Sequence, residues 1–90
     1  LFDVPKSQIP QVTSAEVVRL LKQERLRQDV SVYRLAKDSG LSQQMIHYVE
    51  RGLRNPTLDT LLHIAGGLGI DLSRLIKRAA TSTASKNSDR

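Results

Sequence analysis

Residues 31–52 read SVYRLAKDSGLSQQMIHYVERG, and Ser31, Gly40, Ser42 and Gly52 divide this stretch into two short helices. Ser31 is a cap for a helix from Val32 to Ser39, because a serine hydroxyl accepts from one of the amides that a first helical turn leaves unpaired. Leu35 and Ala36 face inward from it, with Arg34, Lys37 and Asp38 outward. Gly40 ends the helix: without a side chain it takes positive φ at little cost and lets the next helix come close. Leu41 tucks in, Ser42 caps again, and a second helix runs from Gln43 to Arg51 before Gly52 closes it. Two short helices joined by so few residues form a helix-turn-helix unit.

The flanks supply a scaffold. Pro5 and Pro10 forbid a continuous helix over residues 1–12, which read as an extended N-terminal arm. Thr13 and Glu16 have the spacing of a capping box that opens a helix to about Gln28, with Val17, Val18, Leu20 and Leu21 turned inward. After a loop from Leu53 to Pro56, Thr57 caps a fourth helix through about Leu68, whose apolar face is expected at Leu58, Leu61, Leu62, Ala65 and Leu68. Gly66 and Gly67 each weaken that helix by about 1 kcal/mol relative to alanine, which predicts either close helix contact or early fraying. Gly69 stops it, and Asp71 caps a fifth helix whose last apolar positions are Leu72, Leu75 and Ile76. The final stretch, TSTASKNSDR over residues 81–90, has no apolar repeat and is predicted to be a disordered tail. The expectation is an all-α chain of five helices, with one compact domain over residues 13–80.

Bulk composition agrees with a small helical domain. At 90 residues there is room for one domain and little for an enclosed cleft. A hydrophobic fraction of 39% with only 3% aromatic residues implies a thin core of Leu, Ile, Val and Ala, which helices suit. With no cysteine, the chain has no disulfide, no thiolate nucleophile and no cysteine zinc site. No apolar run approaches the roughly 18 residues that would span a bilayer, and nothing resembles a signal peptide, so the expected location is the cytoplasm. The net charge of +5 favours nucleic acid only weakly, since Lys77, Arg78, Lys86 and Arg90 against Asp89 account for more than half of it. His47, Glu50 and Asp71 offer acid–base atoms, but no metal-ligand spacing and no nucleophile with an orienting partner accompanies them. The sequence therefore predicts no catalytic residue, no metal and no cofactor.

Taken in order, Arg25, Leu35-Ala36, Gly40-Leu41-Ser42, Ile46, Glu50-Arg51-Gly52, Asn55-Pro56-Thr57-Leu58 and Leu61 to Ile70 resemble the Cro and phage-repressor type of helix-turn-helix, the Xre-like family. The resemblance covers roughly residues 17–77. It implies a lambda-repressor-like fold in which the helix after Ser42 enters the major groove of double-stranded DNA. Gln43 and Gln44 then stand at base-reading positions, where a carboxamide can pair with adenine through one acceptor and one donor. Met45, His47 and Tyr48 are further candidate readers. Met45 is equally suited to fill a core gap, and Tyr48 to pack half-buried with its hydroxyl in water.

Placement around that helix adds expected phosphate contacts: Arg51 and Arg54 flank the turn after it and Arg34 lies on the helix before it, with solvated charge the plainer alternative for each, while the helix N-terminal amides at Ser31, Ser42 and Thr57 can bond phosphate directly. The resemblance also implies a structural ion pair between Arg25 and Glu50, either buried or exposed. One departure stands out: relatives commonly carry a glutamine directly after the second helix's cap, bracing the first glutamine of the reading helix, and here that place is Val32. The function implied is a sequence-specific transcriptional regulator, acting as a homodimer on a palindromic operator. The alternatives are an antitoxin-like or other protein-interaction module in which DNA binding is secondary, and, further off, an enzyme subunit.

Overall fold

Residues 12–88 are described in the computed structural model, with side chains described from Val12 to Thr81, and within them lie five helices and no strand. They are α1 (Ser14–Arg27), α2 (Val32–Ser39), α3 (Gln43–Glu50), α4 (Leu58–Leu68) and α5 (Leu72–Ser88). The expected arm falls almost wholly on residues 1–11, which lie outside the described residues.

The helix starts follow from side-chain chemistry. Thr13 Oγ1 accepts from the Glu16 amide at 3.2 Å while the Glu16 carboxylate accepts from the Thr13 amide at 3.3 Å, a closed capping box. Ser31, Ser42 and Thr57 accept from the amides of Arg34, Met45 and Thr60, an arrangement worth about 1 kcal/mol at each helix. At the end of α1, Asp29 holds φ at 59° so that the Val30 amide can donate back to the Arg25 carbonyl at 3.0 Å. Aspartate tolerates this left-handed geometry better than most residues with a side chain.

Two boundaries differ from expectation. α3 ends at Glu50, and Arg51 is its C-terminal cap rather than its last turn. α5 continues past Ala80 to Ser88, although residues 81–88 carry no apolar repeat. That segment has no glycine or proline, and a helix already anchored by Leu72, Leu75 and Ala79 gains a hydrogen bond for each residue it adds.

The core joins all five helices: Val17, Val18, Leu20 and Leu21 from α1, Leu35 from α2, Ile46 and Val49 from α3, Leu61, Ile64, Ala65 and Leu68 from α4, and Leu72, Leu75 and Ala79 from α5. The apolar face of α4 is therefore rotated from the one predicted. Leu58 and Leu62 are exposed, at 63% and 48%, and Ile64 takes the inward place. Leu61, Ile64, Ala65 and Leu68 form one helical stripe at spacings of three and four; Leu62 lies a step around the helix, and Leu58 lies a turn before the core begins. Ile76 likewise faces outward, and Ala79 closes the α5 contact in its stead.

α2 packs chiefly on α4, and Gly67 is the reason they come so close. A Cβ placed there would stand 2.8 Å from Leu35 Cδ1 and 3.0 Å from Ser39 Cβ, whereas one at Gly66 would meet nothing within 4 Å. His63 Nδ1 lies 3.1 Å from the Ser39 carbonyl oxygen and ties the same two helices. Gly66→Ala is accordingly expected to stabilise the fold by roughly 0.8–1 kcal/mol through helix propensity alone. Gly67→Ala is expected to cost about 1–3 kcal/mol, because packed atoms must shift. Urea unfolding of the two variants measures the contrast; equal stabilisation by both would mean that α2 and α4 part freely.

Candidate nucleic-acid interface

α3 presents two faces of opposite character. Ile46 and Val49 are the inner ridge, at 0% and 1% exposure, with Met45 half-buried beside them. At 3.6 residues per turn the opposite side carries Gln43, Gln44, His47 and Arg51, all exposed. Tyr48 sits at the border, half-buried. The structure thus brings Gln43, Gln44 and His47 together on one accessible surface and turns Met45 toward the core.

The polar side chains of this face are partly organised among themselves. Gln44 Nε2 donates to Tyr48 Oη at 2.6 Å, and the Arg54 guanidinium lies 5.4 Å from the centre of the Tyr48 ring. The turn that places Arg54 there depends on Gly52, whose φ of 74° lets the Leu53 amide donate back to the Tyr48 carbonyl at 2.9 Å. Arg34 is engaged elsewhere, with Nε donating to Asp38 Oδ2 at 2.9 Å across an exposed i,i+4 pair. The hydroxyls of Ser31 and Ser42 serve their caps as acceptors, which leaves each O–H proton able to donate outward. Thr57 Oγ1 also lies 3.1 Å from Thr60 Oγ1, so its proton has a nearby competitor.

Behind this face Arg25 joins the end of α1 to the end of α3. Its Nε and Nη2 donate to the two carboxylate oxygens of Glu50 at 2.8 and 3.0 Å, and its Nη1 donates to the Val30 carbonyl at 2.7 Å. Both charged side chains are only 10% exposed. A guanidinium is planar and presents parallel donors, so the pair fixes the angle of α3 as well as its distance.

Sequence reasoning left out Arg19. With Lys22, Arg51 and Arg54 it lines a hollow of about 400 Å³ between α1 and the turn after α3, extending positive charge from the exposed face of α3 onto α1. No spacing rule flags it, since the neighbourhood exists only once α1 crosses that turn. Asn55, in the same turn, accepts from Ser14 Oγ at 3.1 Å and fastens the turn to the start of α1.

Two carboxylates away from this face are held ionised. Hydrogen bonds from Arg27 and then Gln28 lower the Glu24 pKa from 4.5 to about 2. Any stability from that difference is complete above the ordinary glutamate range and is lost as pH falls toward 2. Gln28 Nε2 also donates to the Leu68 carbonyl at 3.0 Å, so this cluster closes the end of α1 onto the end of α4. Asp71 is lowered by hydrogen bonds from the Ser73 hydroxyl and amide, as befits a carboxylate capping α5. Among the described residues no cluster of His, Asp or Glu could hold a metal ion, and no helix is long and apolar enough to cross a membrane.

Comparison with known proteins gives this geometry a context. A family model described as "Helix-turn-helix" matches residues 21–75. The HTH-type transcriptional regulator SutR of Escherichia coli is 38% identical over 65 residues, covering 72% of this chain and 36% of that protein. An uncharacterized HTH-type transcriptional regulator of Mycobacterium tuberculosis, MT0491, is 37% identical over 68 residues, covering 76% of this chain and 49% of that protein. The chain thus spans about a third to a half of the length of these relatives. Among solved structures, the restriction-modification controller protein C.AhdI from Aeromonas hydrophila superposes with a TM-score of 0.63 at 32% identity, covering 69% of this chain and 94% of that one. The controller protein C.Esp1396I, solved as a tetramer in complex with its natural 35 base-pair operator, gives 0.68 at 25% identity, covering 76% and 93%.

Proposed function

The chain belongs to the Cro/C1-type helix-turn-helix family, and from that premise we propose that it is a sequence-specific, double-stranded DNA-binding transcriptional regulator that lays α3 in the major groove. One observation carries this reading. The inner ridge of α3 is locked into the core while Gln43, Gln44 and His47 stand exposed in a row, next to Arg51 and Arg54, which make no ion pair among the described residues. An exposed row of carboxamides on a rigid helix suits base edges, and unpaired cations beside it suit phosphates. The operator complex of C.Esp1396I supports the same direction, as a neighbour whose fold this chain shares.

In this reading residues 13–80 are the DNA-binding unit and Gln43 and Gln44 the principal readers. His47 is a secondary reader; Ser31, Ser42, Arg51, Arg54 and Thr57 contact phosphate, and Arg34 joins them by exchanging Asp38 for DNA. Two copies on a palindromic operator would place their half-sites roughly 34–36 Å apart along one face of the duplex. The cytoplasm, as the compartment in which such a regulator would meet its DNA, is the proposed location.

The test begins by selecting bound sequences from a random DNA pool and then compares Gln44→Ala with the unaltered chain on the selected and on scrambled DNA. The variant is expected to lose about 1–3 kcal/mol of discrimination at one base pair and to keep its nonspecific affinity. Arg54→Ala, by contrast, is expected to weaken both DNAs and to reduce the salt slope by about one unit. Recovery of no preferred sequence from the pool would overturn the reading.

A further inference from the structure

We propose that Tyr48 is a positioning residue: held under Arg54, it fixes the carboxamide of Gln44 in the orientation that reads a base. The inference rests on the assignment of Gln44 to the major groove and names what makes that contact selective. A glutamine side chain on a helix surface has three rotatable bonds, and its terminal torsion is broad. An unheld Gln44 would therefore reach several base edges with similar ease. Here its amide is tied at 2.6 Å to Tyr48 Oη, one turn later on the same helix.

The tyrosine is itself held. It is half-buried, the Arg54 guanidinium covers its ring at 5.4 Å, and the Leu53 amide donates to its carbonyl at 2.9 Å, so Arg54 is delivered by a turn closed on Tyr48's own backbone. A cation over an aromatic face is attractive, and at this partly exposed site it keeps the ring from swinging into solvent. The glutamine that relatives commonly place at Val32 would brace Gln43; the brace on Gln44 comes from within α3 itself, from Tyr48.

Hydrogen-bond valence shows what the brace leaves available. Nε2 carries two protons, of which one goes to Tyr48; the second proton and Oε1 remain as an adjacent donor and acceptor. That pair matches adenine N7 and N6–H in the major groove. Tyr48 acts through Gln44 and contributes no base contact of its own, in contrast to its placement among candidate readers by sequence.

Tyr48→Phe separates positioning from packing, because it removes the hydroxyl and keeps the ring beneath Arg54. The variant is expected to melt as the unaltered chain does, with an unchanged salt slope, while preference at the base pair read by Gln44 falls about three- to tenfold, the penalty for ordering a freed side chain on binding. In a Gln44→Ala background the same substitution is expected to change nothing at that base pair, the signature of action through Gln44. In the 90-residue chain free of DNA, nuclear magnetic resonance relaxation of the Gln44 side-chain amide should show a more ordered group in the unaltered chain than in Tyr48→Phe.

Undiminished preference in Tyr48→Phe would overturn the proposal, as would an equal effect with or without Gln44, which would make Tyr48 a direct reader. Tighter specific binding by Tyr48→Phe would overturn it too, by showing that the bond competes with DNA. If Gln44→Ala itself left base preference unchanged, the groove assignment would fall and the proposal with it. The relaxation measurement would still report whether the brace exists.

Discussion

Arg25→Met is expected to lower the unfolding free energy by about 3–5 kcal/mol, the range for removing one partner of a buried ion pair. The loss comes less from the missing attraction than from what stays behind. Glu50 would remain with its side chain 10% exposed, its carboxylate deprived of both guanidinium bonds at 2.8 and 3.0 Å, and the Val30 carbonyl would lose its donor at 2.7 Å. In a domain of this size each kcal/mol moves the melting temperature by roughly 4–8 °C, so the variant should melt more than about 10 °C lower. Adding Glu50→Leu should recover most of the loss, since a well-packed apolar pair can replace a buried ionic one at little cost. Denaturant titration of the two single variants and the double variant closes the cycle. A loss below about 1 kcal/mol in Arg25→Met would mean that the pair behaves as solvent-exposed charge.

That pair also shows how far the sequence could be read. Its partners were legible from the family resemblance, but burial was open between two alternatives, because exposure is decided by how α1 crosses α3 and not by either residue's neighbours in the chain. The helix starts were legible for the opposite reason: a cap is a local event, and Thr13, Ser31, Ser42 and Thr57 each bond an amide three residues on. Faces were harder. Leucine-rich α4 offers apolar residues beyond one stripe: Leu62 lies a step around the helix from the buried face, Leu58 lies on that face but a turn before the core begins, and Ile64 is selected only once α4 packs against α1, α2 and α5. The link from Gln44 through Tyr48 to Arg54 was not legible, since it needs the left-handed turn at Gly52 to bring a loop residue back over its own helix. A spacing of four residues between Gln44 and Tyr48 permitted the contact without requiring it.

Ile46→Ala is expected to cost about 2–5 kcal/mol and Ile46→Val about 0.5–1.5 kcal/mol, by transfer of the deleted methyl groups and by the void they leave. Ile46 is 0% exposed, and with Val49 it makes up the whole fully buried surface of an eight-residue helix. A helix of that length is marginal in water alone, so its exposed polar face is held in place only because these two side chains anchor it. The graded pair of substitutions separates two ways in which the anchor can fail. If the domain unfolds as one unit, amide exchange in α1 and α3 should accelerate together in Ile46→Ala, in step with the loss of global stability. If α3 detaches by itself, exchange should accelerate in Gln43 to Glu50 alone, with little change in α1. The bidentate clasp of Arg25 on Glu50 favours the first outcome, because α3 cannot leave without uncovering that charge. Below its melting temperature Ile46→Ala should then keep the base preference of the unaltered chain, since the exposed row of Gln43, Gln44 and His47 is untouched. Altered preference in a fully folded Ile46→Ala would show instead that core packing sets the pose of Gln43, Gln44 and His47 directly.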